Sequence, residues 1–287
     1  MRIQWIPRYT IAAASTRLRV HVPAGILGWA EPPAVGVMMI QKAVDALVFE
    51  QARRFAEGGG RVVYDFDDVM PQAVLLEAAR SASLFTVDTR ERLGWFRERG
   101  FQQDCEIWPD PIDYQPTAPL AAGGGEGAAW FGNIPNFICA RWMLEALRAA
   151  GAPLRIIAES PCDAFPFTRW EYATFPGELR RSRVAVLSHL GTDQGKSENK
   201  MVAAITLGVP CIVADSISYR KLAQRCGLDW CYVRGADELL AAWQRLQDDR
   251  EVEAYLAAAQ PVIWENYRAE VVAARLLEIL HARFDCR

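Results

Sequence analysis

The stretch SHLGTDQGKSENKMVAAITLGVPCIVAD, Ser188 to Asp215, decides the fold. Ser188 closes an apolar run of strand length that begins at Val184. A polar loop with Gly191, Gly195 and Lys196 follows, and a helix opens near Ser197 with Asn199 and Lys200 in its first turn. Gly208-Val209-Pro210 then turns the chain into a second apolar run, Cys211 to Ala214. Strand, loop, helix, turn and strand make one βαβ unit, and such units build parallel sheets. Helix starts carry backbone N–H groups with no intrahelical partner, so Lys196, Ser197, Asn199 and Lys200 form an anion site suited to a diphosphate. The alternative is a helix whose start is simply capped by Ser197; the loop is not a Walker sequence.

Working outward, the same alternation recurs on both sides. Toward the N-terminus, strands are expected at Arg2 to Ile6, Val35 to Ile40, Arg61 to Tyr64, Leu84 to Val87 and Ile107-Trp108. Helices are expected at Ala43 to Ala56, stopped by Gly58-Gly59-Gly60, and at Gln72 to Ala82 and Thr89 to Arg99. PLAAGGGEGAA, with Gly123-Gly124-Gly125 and Gly127, reads as a flexible connection. Behind it come strands at Ala128 to Phe131 and Leu154 to Ala158, with a helix at Asn136 to Ala150 between them. Helices close the chain at Asp237 to Gln247, Glu251 to Gln260 and Val262 to Phe284. The expectation is an α/β chain of two Rossmann-like, doubly wound domains facing a cleft, over residues 1–120 and 128–260. Residues 121–127 form the linker, and a C-terminal helix over 261–287 packs back toward the first domain.

Composition bounds the function. With 287 residues, 51% apolar and 23% charged, the chain can bury a sizeable core. A formal charge of -3 argues against a whole-protein field that attracts nucleic acid. The charge is uneven, because Arg2, Arg8, Arg17 and Arg19 all precede the first acid, Glu31. That is either a basic rim on an ordinary domain or a surface for an anionic partner. Seven scattered cysteines with no C-x-x-C pair fit reduced thiols better than zinc or a disulfide framework. No apolar run reaches the ~20 residues of a membrane span, and Pro7 and Arg8 interrupt any signal core, so a cytoplasmic chain is expected.

GKSENKMVAAITLGVPCIVAD resembles the donor-binding segment of GT-B glycosyltransferases of the family 4 type, with Gly208-Val209-Pro210 at the family's turn. STRLRVHVPAGIL, VMMIQK, RVVYDFDD, SASLFTVDTRERL, IWPDPIDY and WFGN resemble further pieces of that family in collinear order, covering most of the chain. The resemblance implies transfer of a sugar from a nucleotide-diphosphate donor to an acceptor hydroxyl, without a bound metal or other cofactor, with retention at the anomeric carbon. It departs at one point. The family carries two glutamates with seven residues between them, and those places fall on Gly195 and Ala203 here.

The acids Asp65, Asp67 and Asp68 follow a strand and spell Asp-x-Asp, a metal signature in many sugar-transferring enzymes. In a GT-B enzyme the nucleotide sits on the other domain, so no metal is assigned to them. Asp67 or Asp68 is expected to orient the acceptor or accept its proton, with capping of the next helix by Asp68 as the alternative; Asp65 is expected to be structural. His189, behind a strand and before the phosphate loop, either contacts the donor or satisfies a buried loop, and it completes the catalytic candidates. Gly132 and Asn133, at the end of the strand opening the second domain, join Lys196, Ser197, Asn199 and Lys200 as donor-diphosphate candidates. Arg17 and Arg19 are acceptor-side candidates, and Asp193 is either near the sugar or a turn acid. The expected acceptor is a saccharide or glycan. Two alternatives stay open: a hydroxymethylated base in DNA, and a non-catalytic nucleotide-sugar or glycan-binding protein.

Overall fold

The computed structural model describes residues 1–11, 13–30, 36–42, 45–114, 116–162, 165–189 and 195–284. The expectations placed on Val35, Ala43, Gly191 and Asp193 lie outside them. The chain divides into two compact units. The first comprises Met1–Asp113, Gln194–Ser197 and Tyr267–Arg287; the second comprises Tyr114–Asp193 and Glu198–Asn266.

The first unit is a five-stranded parallel sheet in sequential order: β1 (Ile3–Ile6), β2 (Val37–Gln41), β3 (Arg61–Phe66), β4 (Leu84–Val87) and β5 (Cys105–Ile107). Alternate side chains of these strands feed two separate cores, as the two-residue strand period requires. On one face Met38, Ile40, Val62, Tyr64, Phe66 and Phe85 pack with residues of α3 (Ala46–Glu57), α4 (Gln72–Ala79) and α5 (Arg90–Glu98). On the other, Trp5, Met39, Val63, Leu84 and Trp108 pack against Val20, Ala24 and the buried stripe Val272, Leu276 and Leu280. That stripe belongs to α12 (Ala269–Phe284), and Trp108 Nε1 donates to Val272 O at 2.9 Å.

The segment Ala14–Leu27 was not anticipated as a helix. It contains α1 (Ala14–Thr16), a π-helical turn at Arg17–His21 and α2 (Val22–Leu27). Pro23 sits at the start of α2, where its missing N–H removes no intrahelical bond.

The second unit is also five-stranded and parallel, with order β10-β9-β6-β7-β8. Its strands are β6 (Ala128–Phe131), β7 (Leu154–Ala158), β8 (Phe167–Arg169), β9 (Val184–Ser188) and β10 (Cys211–Ala214). The helices α6 (Phe137–Ala149), α7 (Phe175–Arg180), α8 (Asn199–Thr206), α9 (Ile217–Arg225), α10 (Ala236–Arg245) and α11 (Asp249–Tyr267) complete its alternation. Strand order reverses at the neighbours β6 and β9. These pair only at Ala128–Val184 and Ala129–Ala185, so they separate toward their C-terminal ends.

Three expectations are corrected. The glycine stretch is not a free connection. The unit boundary falls at Asp113 and Tyr114, and Cβ atoms at Gly123 and Gly125 would overlap the backbone of Arg180–Ser182, so the glycines permit close backbone packing. β3 extends through Phe66, which puts Asp65 inside the strand. α11 runs through Pro261 and ends at Tyr267, because its buried positions Leu256, Ala259, Ile263 and Tyr267 keep helical spacing across the proline. Among the described residues, no helix is long and apolar enough to cross a membrane.

Candidate functional site

In the second unit the polar side chains gather at the strand ends beside β6 and β9. Open α/β sheets bind ligands at such a reversal of strand order, in the crevice beyond the C-terminal ends. Gly132 ends β6 with φ +148°, a conformation that L side chains rarely adopt, and its N–H donates to Ile157 O at 3.2 Å. A Cβ at this position would lie 2.5 Å from Lys200 Nζ, so the absent side chain makes room for that ammonium. Lys200 Nζ also stands 5.6 Å from the centre of the Trp130 ring. Asn133 is exposed and makes no capping bond to the short 3-10 turn Ile134–Asn136.

α8 begins beside these groups. Its N-cap position is Glu198, which makes no side-chain capping bond, so the alternative of a Ser197 cap does not hold. At the end of β9, Ser188 Oγ donates to Asp215 Oδ2 at 2.9 Å, and Asp215 adopts φ +56°. Positive φ is uncommon for a residue with a side chain and clusters at functional positions. His189 is buried; its Nε2 lies 2.9 Å from the Tyr219 hydroxyl, and the two rings stack.

The structure thus brings Gly132, Lys200, Asn133 and Asn199 to one end of the second sheet. Lys196 and Ser197 lie in the first unit instead, where Lys196 Nζ donates to Asp68 Oδ1 at 3.2 Å and Ser197 Oγ donates to Asp110 Oδ2 at 2.7 Å.

The first unit carries a dense ionic network at the ends of β2, β3 and β4. Arg19, 1% exposed, forms a two-pronged pair with Asp65, donates to Trp108 O and lies 4.1 Å from the centre of the Trp108 ring. Asp65 also accepts from Thr86 Oγ1 at 2.7 Å. Arg19 therefore orders carboxylates from below instead of meeting solvent, and Asp65 is structural. Arg17 holds Asp113 through two bonds, at 2.9 and 2.8 Å. The π-turn aims both arginines inward, and such turns recur at functional sites.

Asp68 does not cap α4, whose N-cap is Pro71. Lys42, at φ +50° after β2, stands 3.3 Å from Asp67 and 3.4 Å from Asp68. Burial would lower the Lys42 pKa, but the two carboxylates hold it above its ordinary value. Burial pushes Asp67 up to about 6; Lys42 and Arg19 pull against it, and Asp65 and Asp88 add to it. Burial also pushes Asp110 up to about 7, with Asp88 and Asp67 adding and Arg19 opposing. Asp68 is held below the usual carboxylate range, because Lys42 and Lys196 outweigh its burial.

Arg92 pairs with Asp88 at 2.5 and 3.1 Å. Gln41, Lys42, Asp88, Arg92 and Asp110 were not singled out from sequence as site residues. The available signal was position: Gln41 ends β2, Lys42 and Asp88 directly follow strands, Asp110 lies in the turn after β5, and Arg92 lies in the first turn of α5. Among the described residues no group of three or more His, Cys, Asp or Glu side chains is placed to hold a metal ion. Asp67 and Asp68 instead share an ammonium.

No protein-family model matches the chain, and no curated protein matches its sequence. Solved structures do match. Anabaena HepE in complex with UDP aligns with a TM-score of 0.69 at 11% identity, covering 98% of this chain and 100% of that one. A variant of S. aureus TarM in complex with fondaparinux, α-GlcNAc-glycerol and UDP aligns at 0.61 and 12% identity, covering 84% of this chain and 54% of that one. The UDP-forming α,α-trehalose-phosphate synthase of Burkholderia xenovorans, in complex with glucose-6-phosphate, aligns at 0.57 and 12%, covering 85% and 72%. At these identities the likeness establishes the fold.

Proposed function

From the GT-B fold, we propose that the chain is a glycosyltransferase that moves a sugar from a nucleoside-diphosphate donor to an acceptor hydroxyl. The observation that carries this proposal is the notch at Gly132 filled by Lys200, set where strand order reverses in the second sheet. UDP accompanies HepE and TarM, which supports a donor of this type.

In this proposal Lys200 and the uncapped amides of the first turn of α8 stabilise charge growing on the departing diphosphate, with Gly132 permitting close approach and Asn133 and Asn199 beside them. Metal independence belongs to the proposal, since a cation is already built in where the diphosphate charge develops. Retention at the anomeric carbon rests on the family 4 resemblance alone. Asp67 is the candidate to accept the acceptor's proton, because burial lifts its carboxyl toward neutrality, and Asp68 is the candidate to orient the acceptor. A saccharide or glycan is the proposed acceptor. A DNA backbone is disfavoured at this network, where carboxylates outnumber cations.

The test is release of nucleoside diphosphate from a panel of nucleotide sugars, with and without saccharide acceptors. Turnover that disappears in Lys200→Ala while the melting temperature holds supports the proposal. Wild-type turnover in that variant overturns the assignment of Lys200, and no release from any donor favours the non-catalytic binding protein.

A further inference from the structure

Residues Gly195–Ser197 are held within the first unit by side-chain bonds from Thr89, Arg92, Asp68 and Asp110. Thr89 Oγ1 and Arg92 Nη2 both donate to Gly195 O, at 3.0 and 2.7 Å. Ser197 Oγ donates to Asp110, and Lys196 Nζ donates to Asp68. Gly195 has φ +86°, and a Cβ there would overlap the backbone of Arg92, so the segment lies flush on the start of α5. An acceptor oxygen, a hydroxyl and an ammonium thus occupy three anchor points.

The network beneath is incomplete. Arg92 is 1% exposed, yet its Nη1 has no hydrogen-bond partner; the same holds for Asp67 Oδ1 and for Nε2 of Gln41, 2% exposed. The charge of Asp67 Oδ1 is paired by the Lys42 ammonium, 3.3 Å away. A donor and an acceptor in one network are the complement of a hydroxyl, which can accept from Arg92 and donate to Asp67.

Charge selects the remaining feature. Asp65, Asp67, Asp68, Asp88 and Asp110 interact with one another and with three cations of the network, Arg19, Lys42 and Arg92. Lys196 is the added fourth, and both it and Asp68 are 45% exposed in their side chains. A phosphate or carboxylate brought to this place would meet an excess of like charge; an ammonium would not.

We propose that Gly195–Ser197 occupies the subsite of an amine-bearing sugar acceptor, with Lys196 standing where the ligand's ammonium pairs with Asp68 and a neighbouring ring hydroxyl bridging Arg92 and Asp67. The proposal rests on the glycosyl-transfer reading and narrows its acceptor to amino sugars or aminocyclitols. The segment lifts when the acceptor binds, which exposes the buried atoms.

The test is titration calorimetry of the full chain with glucosamine, glucose, glucose-6-phosphate and UDP, in the wild type and in Lys196→Ala. Lys196→Ala should bind glucosamine about tenfold or more tightly than glucose and more tightly than the wild type does, with glucose-6-phosphate weakest. Adding Asp68→Asn should erase the preference. Equal binding of glucosamine and glucose, a preference for the phosphate, or no sugar binding beside intact UDP binding overturns the subsite and leaves the donor assignment standing. Loss of both sugar and UDP binding in the folded wild type sinks the glycosyl-transfer reading itself. Lys196→Gln carries the same arms if the alanine variant does not fold.

Discussion

The two units use the same sheet size for different ends. The second reverses its strand order at β6 and β9, lets those strands part after two paired positions, and puts a glycine and a lysine in the opening. The first keeps its strands in sequential order and fills the corresponding ends with buried ion pairs. An opening with a lysine ammonium beside a glycine suits a ligand that arrives and leaves charged. A buried network of fixed carboxylates suits recognition of hydroxyl and amine groups, and it makes that unit's stability depend on its charges. Both units place a non-glycine residue at positive φ just after a strand, Lys42 in one and Asp215 in the other.

The largest expected effect falls on the first unit. Arg19→Ala leaves Asp65, 1% exposed, without its guanidinium, and removal of one partner of a buried pair costs about 3–5 kcal/mol. Urea unfolding should show that loss, and a change under about 1 kcal/mol would mean that water reaches Asp65. The counterpart in the second unit is chemical. Lys200→Ala should lower turnover by about 10²–10³-fold with little change in melting temperature.

Gly132→Ala comes next. It adds about 1–3 kcal/mol of backbone strain and pushes against the flexible end of Lys200, so donor affinity should fall more than stability. The smallest effect is the pH dependence. Asp110 and Asp67 have folded pKa values of about 7 and about 6, raised above the ordinary carboxylate value. The folded state therefore holds their protons more tightly than the unfolded one. The stability they contribute is present below the unfolded pKa and is lost as pH rises through about 6 to 7. Melting curves between pH 4 and pH 8 should show this loss, and Asp110→Asn should flatten it; an unchanged slope would remove Asp110 from the account.

Much of this was legible in the sequence. The stretch from Ser188 to Asp215 carries its own strand, helix and strand, and the structure returns β9, α8 and β10 there. Continuous apolar runs sufficed there, because both strands are buried on both faces and most of the helix is buried too. The π-turn at Arg17–His21 was not legible, since its shape depends on buried partners, Asp65 and Asp113, far along the chain. Pro261 looked like a helix end, but the apolar stripe across it prevailed. β8, with three residues and an exposed end, carries too little pattern to be seen. For the candidate site, glycine and lysine types pointed to anion chemistry, but the sequence could not divide Lys196 from Lys200. They stand four residues apart, and the chain passes from one unit to the other between Ser197 and Glu198.

That division is the central claim, and titration of UDP into three proteins tests it most directly. The wild type should bind UDP, Lys200→Ala should bind it at least about tenfold more weakly, and Asp68→Asn should match the wild type. Equal binding by Lys200→Ala, or loss of binding in Asp68→Asn alone, would contradict the assignment of the donor to the second unit.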